Sequence, residues 1–545
     1  MTPTLRRTAT VLVLLALTAT PALAQIPHLR DHGDTRQLIV DGEPFLILGG
    51  ELGNSAASDL IHLSEQWPTL EALNLNTVLA PVYWELVEPE EGHFDFASID
   101  GLIEQAREHD MRLVLLWFGS WKNSMSSYVP SWVKRDQERF PRARSDEGHA
   151  QEILSPFSDD NLEADRRAFT ALMAHLARKD PQHTVVMVQV ENEIGMLPDA
   201  RDHSADGEAA FVEPVPEALM TYLQRNRARL DARLADLWEA QGSPASGTWT
   251  EVFGATDAAE EVFMAWGFGR YVEAIAASGQ AEHDLPMFVN AALNDPGVRP
   301  GGYPSAGPLP HLFDVWKAAA PSIDFLAPDI YRPNFVQRIS EFRRADNPVF
   351  IPEANRAGRA ETSADALWAI GALDAVGFSP FAIETTDAGT DPLSGTYAGL
   401  EELAPLILTH QGGDTLHGFR APVDAEGVVD DRPQTFTLGD FAFTAAFIDP
   451  WTPRDAQNTA AHGGLIIQLD DEEFLVAGTG VTLTFAPADG SDTRVGIDRI
   501  HDGRFVDGVW TPGRLLNGDE SHQGRHLRLP PGDFGIQQVR LYTYR

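Results

Sequence analysis

Cysteine is absent from all 545 residues, which removes a disulfide framework, a thiol nucleophile and a thiolate-held metal together. Basic residues are scarce as well: 41 Lys and Arg stand against 80 Asp and Glu, a formal net charge of −39. A surface of that sign repels phosphate backbones and anionic bilayers, so nucleic acid and membrane are excluded as partners and a neutral substrate fits better. Solubility or a saline habitat is the plainer reason for the charge itself. The 17 histidines form no His-x-His or His-Glu-x-x-His arrangement, so no catalytic metal and no other cofactor is expected. Internal repeats, low-complexity tracts and a phosphate-binding loop are also missing.

The apolar run near the N-terminus falls short of the ~20 residues of a bilayer span. Arg6 and Arg7, the run from Val11 to Leu17 and the small-x-small Ala22-Leu23-Ala24 instead form the pattern of a secretory signal over residues 1–24. The mature chain is expected to start near Gln25, in the periplasm or outside the cell. The paired arginines suggest the twin-arginine route, but Thr8-Ala9-Thr10 matches it poorly, and the route stays open.

At 43% apolar and 22% charged, the remainder has the composition of an ordinary globular protein, too long for one standard domain. From about residue 44 to 403, short β-leaning apolar runs alternate with amphipathic stretches, the rhythm of βα units around a parallel sheet. The runs are residues 45–49, 77–82, 112–118, 184–190, 286–291, 323–329, 349–352 and 377–383. Eight is the count that closes a TIM barrel. Residues 95–109 and 161–178 carry one-sided apolar stripes that must pack on that sheet, and an unusually long insertion with a helix expected over 215–240 separates the fourth and fifth runs. Beyond about residue 409, short alternating runs between Asp/Gly/Pro clusters predict an all-β sandwich or jelly roll. The expected domains are therefore a (β/α)8 barrel over 25–408 and an accessory β-domain over 409–545. Ten of the 12 tryptophans precede that boundary.

Active sites of such barrels lie at the C-terminal ends of the strands, so a polar residue where an apolar run stops is a candidate. Two glutamates qualify. The fourth run enters Glu191-Asn192-Glu193 directly, and the seventh ends on Glu353. Strands four and seven face each other across a barrel mouth. Glycosidic hydrolysis needs a protonated acid on the leaving oxygen and an ionised carboxylate near the anomeric carbon, and a separation of ~5 Å gives retention through a covalent intermediate. A single strand-end glutamate is more often a solvated rim residue; two on opposite strands are harder to dismiss. Glu384, ending the eighth run, is the rival nucleophile.

The Asn192-Glu193 pair and Glu353 resemble the signature of the large clan of retaining hydrolases built on (β/α)8 barrels. Val188-Gln189-Val190-Glu191-Asn192-Glu193-Ile194-Gly195 is similar to the acid/base motif of family 35 β-galactosidases. Trp84, then Glu88-Pro89, Gly92 and Phe94-Asp95-Phe96, follow a pattern that families 35 and 42 share after strand two. Over about residues 40 to 400, the resemblance implies Glu193 as acid/base, Glu353 as nucleophile and Asn192 as partner of the sugar 2-hydroxyl. It also implies Tyr331, ending the sixth run, as a hydrogen-bond donor to the nucleophile, with simple rim packing as the competing reading.

Three stretches depart from family 35: Glu353-Ala354-Asn355-Arg356, Gly49-Gly50-Glu51-Leu52-Gly53-Asn54, and Trp117-Phe118-Gly119-Ser120-Trp121-Lys122-Asn123, which lacks the Ala-Glu-Trp whose Glu helps bind galactose. Trp84, Trp117 and Trp121 are candidates for a sugar-stacking floor, one or two of them rather than all three. The expectation is an exported, cofactor-free retaining exo-β-galactosidase acting on terminal galactose of oligo- or polysaccharides. Same-clan action on a glucoside, mannoside, arabinoside or uronide, and a non-catalytic carbohydrate-binding barrel, stay open. The sequence sets no oligomeric state.

Overall fold

The computed structural model describes residues 25–545 apart from 356, 357 and 507, so the leader expected over residues 1–24 lies outside the described residues. Eight parallel strands close a barrel: β1 (Ile47–Glu51), β2 (Thr77–Tyr83), β3 (Arg112–Lys122), β4 (Val185–Asn192), β5 (Met287–Ala292), β6 (Phe325–Ile330), β7 (Ile351–Ala354) and β8 (Gly377–Pro380), with β8 pairing back onto β1. Their residues are almost all buried because helices cover the outside while side chains fill the inside, which is why they read as continuous apolar runs. All eight sit where the apolar runs predict them, with ends displaced by up to a few residues.

Two asparagines replace ladder partners that the parallel strands lack at their starts. Asn76 accepts from the Leu48 amide at 2.9 Å and donates to the Leu46 carbonyl at 2.9 Å, tying β1 to the turn before β2. Asn347 does the same before β7: it accepts from the Leu326 amide at 2.8 Å and donates to the Leu326 and Phe342 carbonyls, each at 3.0 Å.

A three-stranded antiparallel sheet over 28–45, unforeseen in the sequence, precedes β1 and sends Leu38 and Val40 into the barrel's core. The insertion between β4 and β5 differs from the single helix expected over 215–240. Helices Glu217–Asn226 and Ala232–Ala240 are separated by a turn in which the Asp231 side chain caps the second. Asp231 also donates its amide to buried Asp314, anchoring the break. Among the described residues, no helix is long and apolar enough to cross a membrane.

After helix Pro392–His410 the chain forms an antiparallel six-stranded sheet and an antiparallel four-stranded sheet. Their inner faces share a core of Phe419, Phe443, Ile466, Phe474, Leu483 and Val539, which makes the module a sandwich. It packs on helix Thr362–Leu373, where Gly371 and Gly418 lie back to back: a Cβ on Gly371 would stand 2.8 Å from the Gly418 Cα. Buried Arg420 of the sandwich pairs with Asp365 of that helix.

Removing Asn347 leaves one buried amide and two carbonyls short of partners, at about 1–3 kcal/mol for each group left unsatisfied. Asn347→Ala is therefore expected to lower unfolding stability by ~3 kcal/mol in urea titration, with the strands of the mouth unaltered; a loss below ~0.5 kcal/mol would refute the anchoring role.

Candidate active site

β3 runs past its neighbours and reverses in a two-residue turn. Lys122 and Met125 exchange backbone hydrogen bonds of 2.7 and 2.9 Å, and the two residues between them, Asn123 and Ser124, have φ of 50° and 63°. Positive φ at both central positions defines a type I′ turn, a conformation that non-glycine residues adopt only when their surroundings impose it. What imposes it here is β4. The Ser124 amide donates to the Glu193 carbonyl at 3.0 Å, and the Asn123 side chain donates to the Glu193 carboxyl.

The segment it grips is strained too, with φ of 61° at Glu191 and 46° at Glu193. The reversal sends the two glutamates different ways. Glu191 turns outward beneath the β3 rim, where its carboxyl accepts from the Trp121 amide at 2.7 Å beside buried Asp165. Burial, then the Asp165 charge and a hydrogen bond between the two, push Glu191 well above the ordinary carboxylate range. Glu193 faces the barrel mouth. Its amide donates to Asn290 Oδ1 of β5 at 2.9 Å, and Asn290 Nδ2 donates to Asp329 of β6 at 2.5 Å. Asp329 lies in register with Glu353 of β7, so their side chains leave adjacent strands on the same face.

These connections bring Glu193, Asp329 and Glu353 together, with one oxygen from each lying within 4.8 Å of the others. Among the described residues, they are the one group of three or more such side chains whose oxygens lie that close together. Tyr331 donates its hydroxyl to Glu353 Oε1, although the tyrosine itself remains 41% exposed. Glu51 at the end of β1 is buried beside them, and the Glu353 charge acts on it. Lys122 supplies a positive charge among them.

Dry crowding sets the protonation. Burial, and after it the Glu353 charge, push Glu193 up to about 7. Burial and the Glu353 and Glu193 charges hold Glu51 and Asp329 well above the ordinary carboxylate range. Burial alone would lower the Lys122 ammonium, but the carboxyls of Glu353, Glu193, Glu51 and Asp329 outweigh it and raise it. Glu353 accepts from Tyr331 at one oxygen, while its other oxygen has no partner among the described residues. Asn192 is likewise buried with neither side-chain atom partnered, a polar group without an acceptor or donor from the protein.

The stacking floor is a correction. Trp84, Trp117 and Trp121 are each 0% exposed and present no face to a sugar. Trp84 opens a helix and donates to Glu88 at 3.0 Å. Trp117 points away from the barrel axis and donates to Asp165 at 2.9 Å, and Trp121 packs edgewise on Phe268 and Tyr271 of helix Asp257–Glu282. Glu384, the rival nucleophile, stands outside the cluster and accepts from the Gly53 amide at 3.1 Å with each oxygen, holding the loop after β1. Sequence reasoning missed Glu51, Lys122 and Asp329 as site residues. All three lie at or next to strand ends, so the rule that found Glu193 and Glu353 reaches them as well.

Comparison with known proteins adds family likenesses. Residues 62–260 match the family model Glyco_hydro_42, described as beta-galactosidase, and residues 393–528 match a domain of unknown function, DUF5597. A beta-galactosidase of Xanthomonas manihotis is 27% identical over 221 residues, covering 38% of this chain and 34% of that protein. The match thus spans about a third of the curated relative's length. Among solved structures, a beta-galactosidase from psychrophilic Marinomonas ef1 aligns with a TM-score of 0.47 at 10% identity, over 67% of this chain and 62% of that one. One from Bacillus circulans sp. alkalophilus aligns at 0.45 and 14%, over 67% and 57%.

The raised Glu193 carboxyl has a thermodynamic sign. Below the ordinary carboxylate value both folded and unfolded chains hold the proton, and stability is at its fullest; as pH rises toward 7 only the unfolded chain releases it, and stability is lost. A glutamine never ionises, so Glu193→Gln is expected to match the wild type near pH ~4 and exceed it near pH ~8 by up to roughly 3 kcal/mol. Thermal unfolding across that range reads the difference. Equal melting at both ends would contradict the raised carboxyl.

Proposed function

We propose that this chain is a retaining glycoside hydrolase of the (β/α)8 clan, cleaving terminal β-galactosides, with Glu193 as acid/base and Glu353 as nucleophile. The observation carrying the reading is the approach of the Glu193 and Glu353 carboxyl oxygens to within 4.8 Å. That spacing suits direct attack by one carboxylate, whereas inverting enzymes hold the pair ~6.5–9.5 Å apart to admit a water.

In the first step, Glu353 attacks the anomeric carbon as the bond to the leaving oxygen breaks, and Glu193 delivers its proton to that oxygen. In the second, Glu193 takes a proton from a water that attacks the same carbon, releasing the sugar with its original configuration and freeing Glu353. Tyr331 steadies the attacking carboxylate by donating to it, and Asn290 fixes the Glu193 backbone. A neutral sugar is the reading favoured by the chain's formal net charge of −39, which repels an anionic one. Galactose is supported by the printed descriptions of the matched family model and of the Xanthomonas relative. The finer family 35 likeness rests on the motif around Glu193. Export rests on the leader pattern of residues 1–24.

A panel of aryl β-glycosides is expected to give the galactoside the highest kcat/KM; negligible galactoside hydrolysis beside rapid cleavage of another sugar would overturn the substrate. Glu353→Gly is expected to lose at least ~10³ in kcat and to regain turnover with azide as a glycosyl azide. An active Glu353→Gly would move the nucleophile elsewhere. Glu193→Gln is expected to slow poor leaving groups by ~10²–10⁴ and activated aryl groups far less, because these need no protonation.

A further inference from the structure

Lys122 closes β3 in register with Asn192 at the end of β4, and it is 4% exposed. Its ammonium stands 5.1 Å from the centroid of the Phe118 ring, an aromatic face that steadies a cation without neutralising it. No carboxylate oxygen lies within 4.0 Å of it, and none of its N–H groups has an acceptor among the described residues. An ammonium buried without an ion pair is costly. The titratable groups around it are Glu51 of β1, Glu193 after β4, Asp329 of β6, Glu353 of β7 with its partner Tyr331, and Tyr128 beyond the β3 turn.

The charges in this space nearly balance in one arrangement. Four carboxyls surround one ammonium, and the pocket is neutral when one of the four is ionised. Burial and the neighbouring carboxyl charges hold Glu51 and Asp329 well above the ordinary carboxylate range and push Glu193 up to about 7. One proton more or fewer leaves an uncompensated charge in a place of low dielectric. Charge interaction is also mutual: whatever the carboxyls do to hold the proton on Lys122, the ammonium does equally to favour their ionised forms.

Building on the glycosidase reading, we propose that Lys122 is the counter-cation of the site, a positioning residue that acts across the pocket to balance the charge of the carboxyl cluster formed by Glu51, Glu193, Asp329 and Glu353. It reaches no reacting atom. Lys122 belongs to the stretch where this chain departs from the family 35 pattern, and Glu51 belongs to another such stretch. The two departures are then one change, a cation on β3 balancing an added carboxyl on β1.

The test compares Lys122→Met, which removes the charge at similar length, with Lys122→Arg, which keeps it. Infrared titration of the folded protein reads protonated carboxyls without any substrate. Lys122→Met is expected to carry an additional protonated carboxyl at neutral pH, and the descending limb of kcat/KM to move up by about one unit or more. At neutral pH its kcat is expected to fall roughly tenfold or more, with KM changing less. Lys122→Arg is expected to keep the wild-type titration within about half a unit.

An unmoved infrared titration and pH limb in Lys122→Met would overturn the proposal. So would a defect confined to KM, which would make Lys122 a sugar contact. A wild type inactive on every glycoside would instead defeat the function while the infrared arm still decided the charge balance.

Discussion

Carboxyl groups a few ångströms apart and shielded from water cannot all be ionised, and four of them meet at the mouth of this barrel around one ammonium. The rest of the site follows from that crowding. It places protons on Glu51, Asp329 and, up to about pH 7, Glu193. The Tyr331 hydroxyl donates to Glu353 beside them. Two chemically identical side chains stand in different settings, Glu193 where burial resists its charge and Glu353 where a tyrosine hydroxyl donates to it.

Such a pocket opposes folding, and the surrounding structure offsets it locally. The β3 turn and the end of β4 hold each other in left-handed conformations that neither would adopt alone. Asn290 ties β4 to β6, and the Glu191–Asp165 pair stands beneath the rim with Ser120, Trp117 and Trp121 as donors. Strain and buried acid concentrated at one end of an otherwise continuous apolar core is the pattern expected where stability has been exchanged for reactivity. The β-sandwich is remote from this chemistry in character: it covers the flank of helix Thr362–Leu373, through a glycine contact and a buried ion pair.

Much of this was legible in the sequence, for definite reasons. Continuous apolar runs marked the eight strands because both faces of each are covered, and the polar residues ending them marked Glu193 and Glu353. The helix break at Asp231 was hidden because apolar periodicity continues across it while the cap depends on Asp314, far along the chain. The tryptophans misled for a similar reason: position along a strand says a residue is near the rim, but Trp117 and Trp121 face helices, and only packing reveals which side a side chain takes. Lys122, Glu51 and Asp329 escaped because their meaning is collective. Each is an unremarkable strand-end polar residue until the barrel closes and places them within reach of Glu353.

The family likenesses accord with this chemistry over the first half of the chain, while the strand bearing Glu353 lies beyond the residues matched by the beta-galactosidase model. The proposed reaction therefore rests on the geometry of Glu193 and Glu353 themselves. Proton NMR of the anomeric signal during the first turnovers on an aryl β-galactoside examines that geometry directly. Direct attack by Glu353 requires the β-anomer to appear first, with the α-anomer growing in later by mutarotation. Initial release of the α-anomer would contradict the double displacement and the role of Glu353 with it.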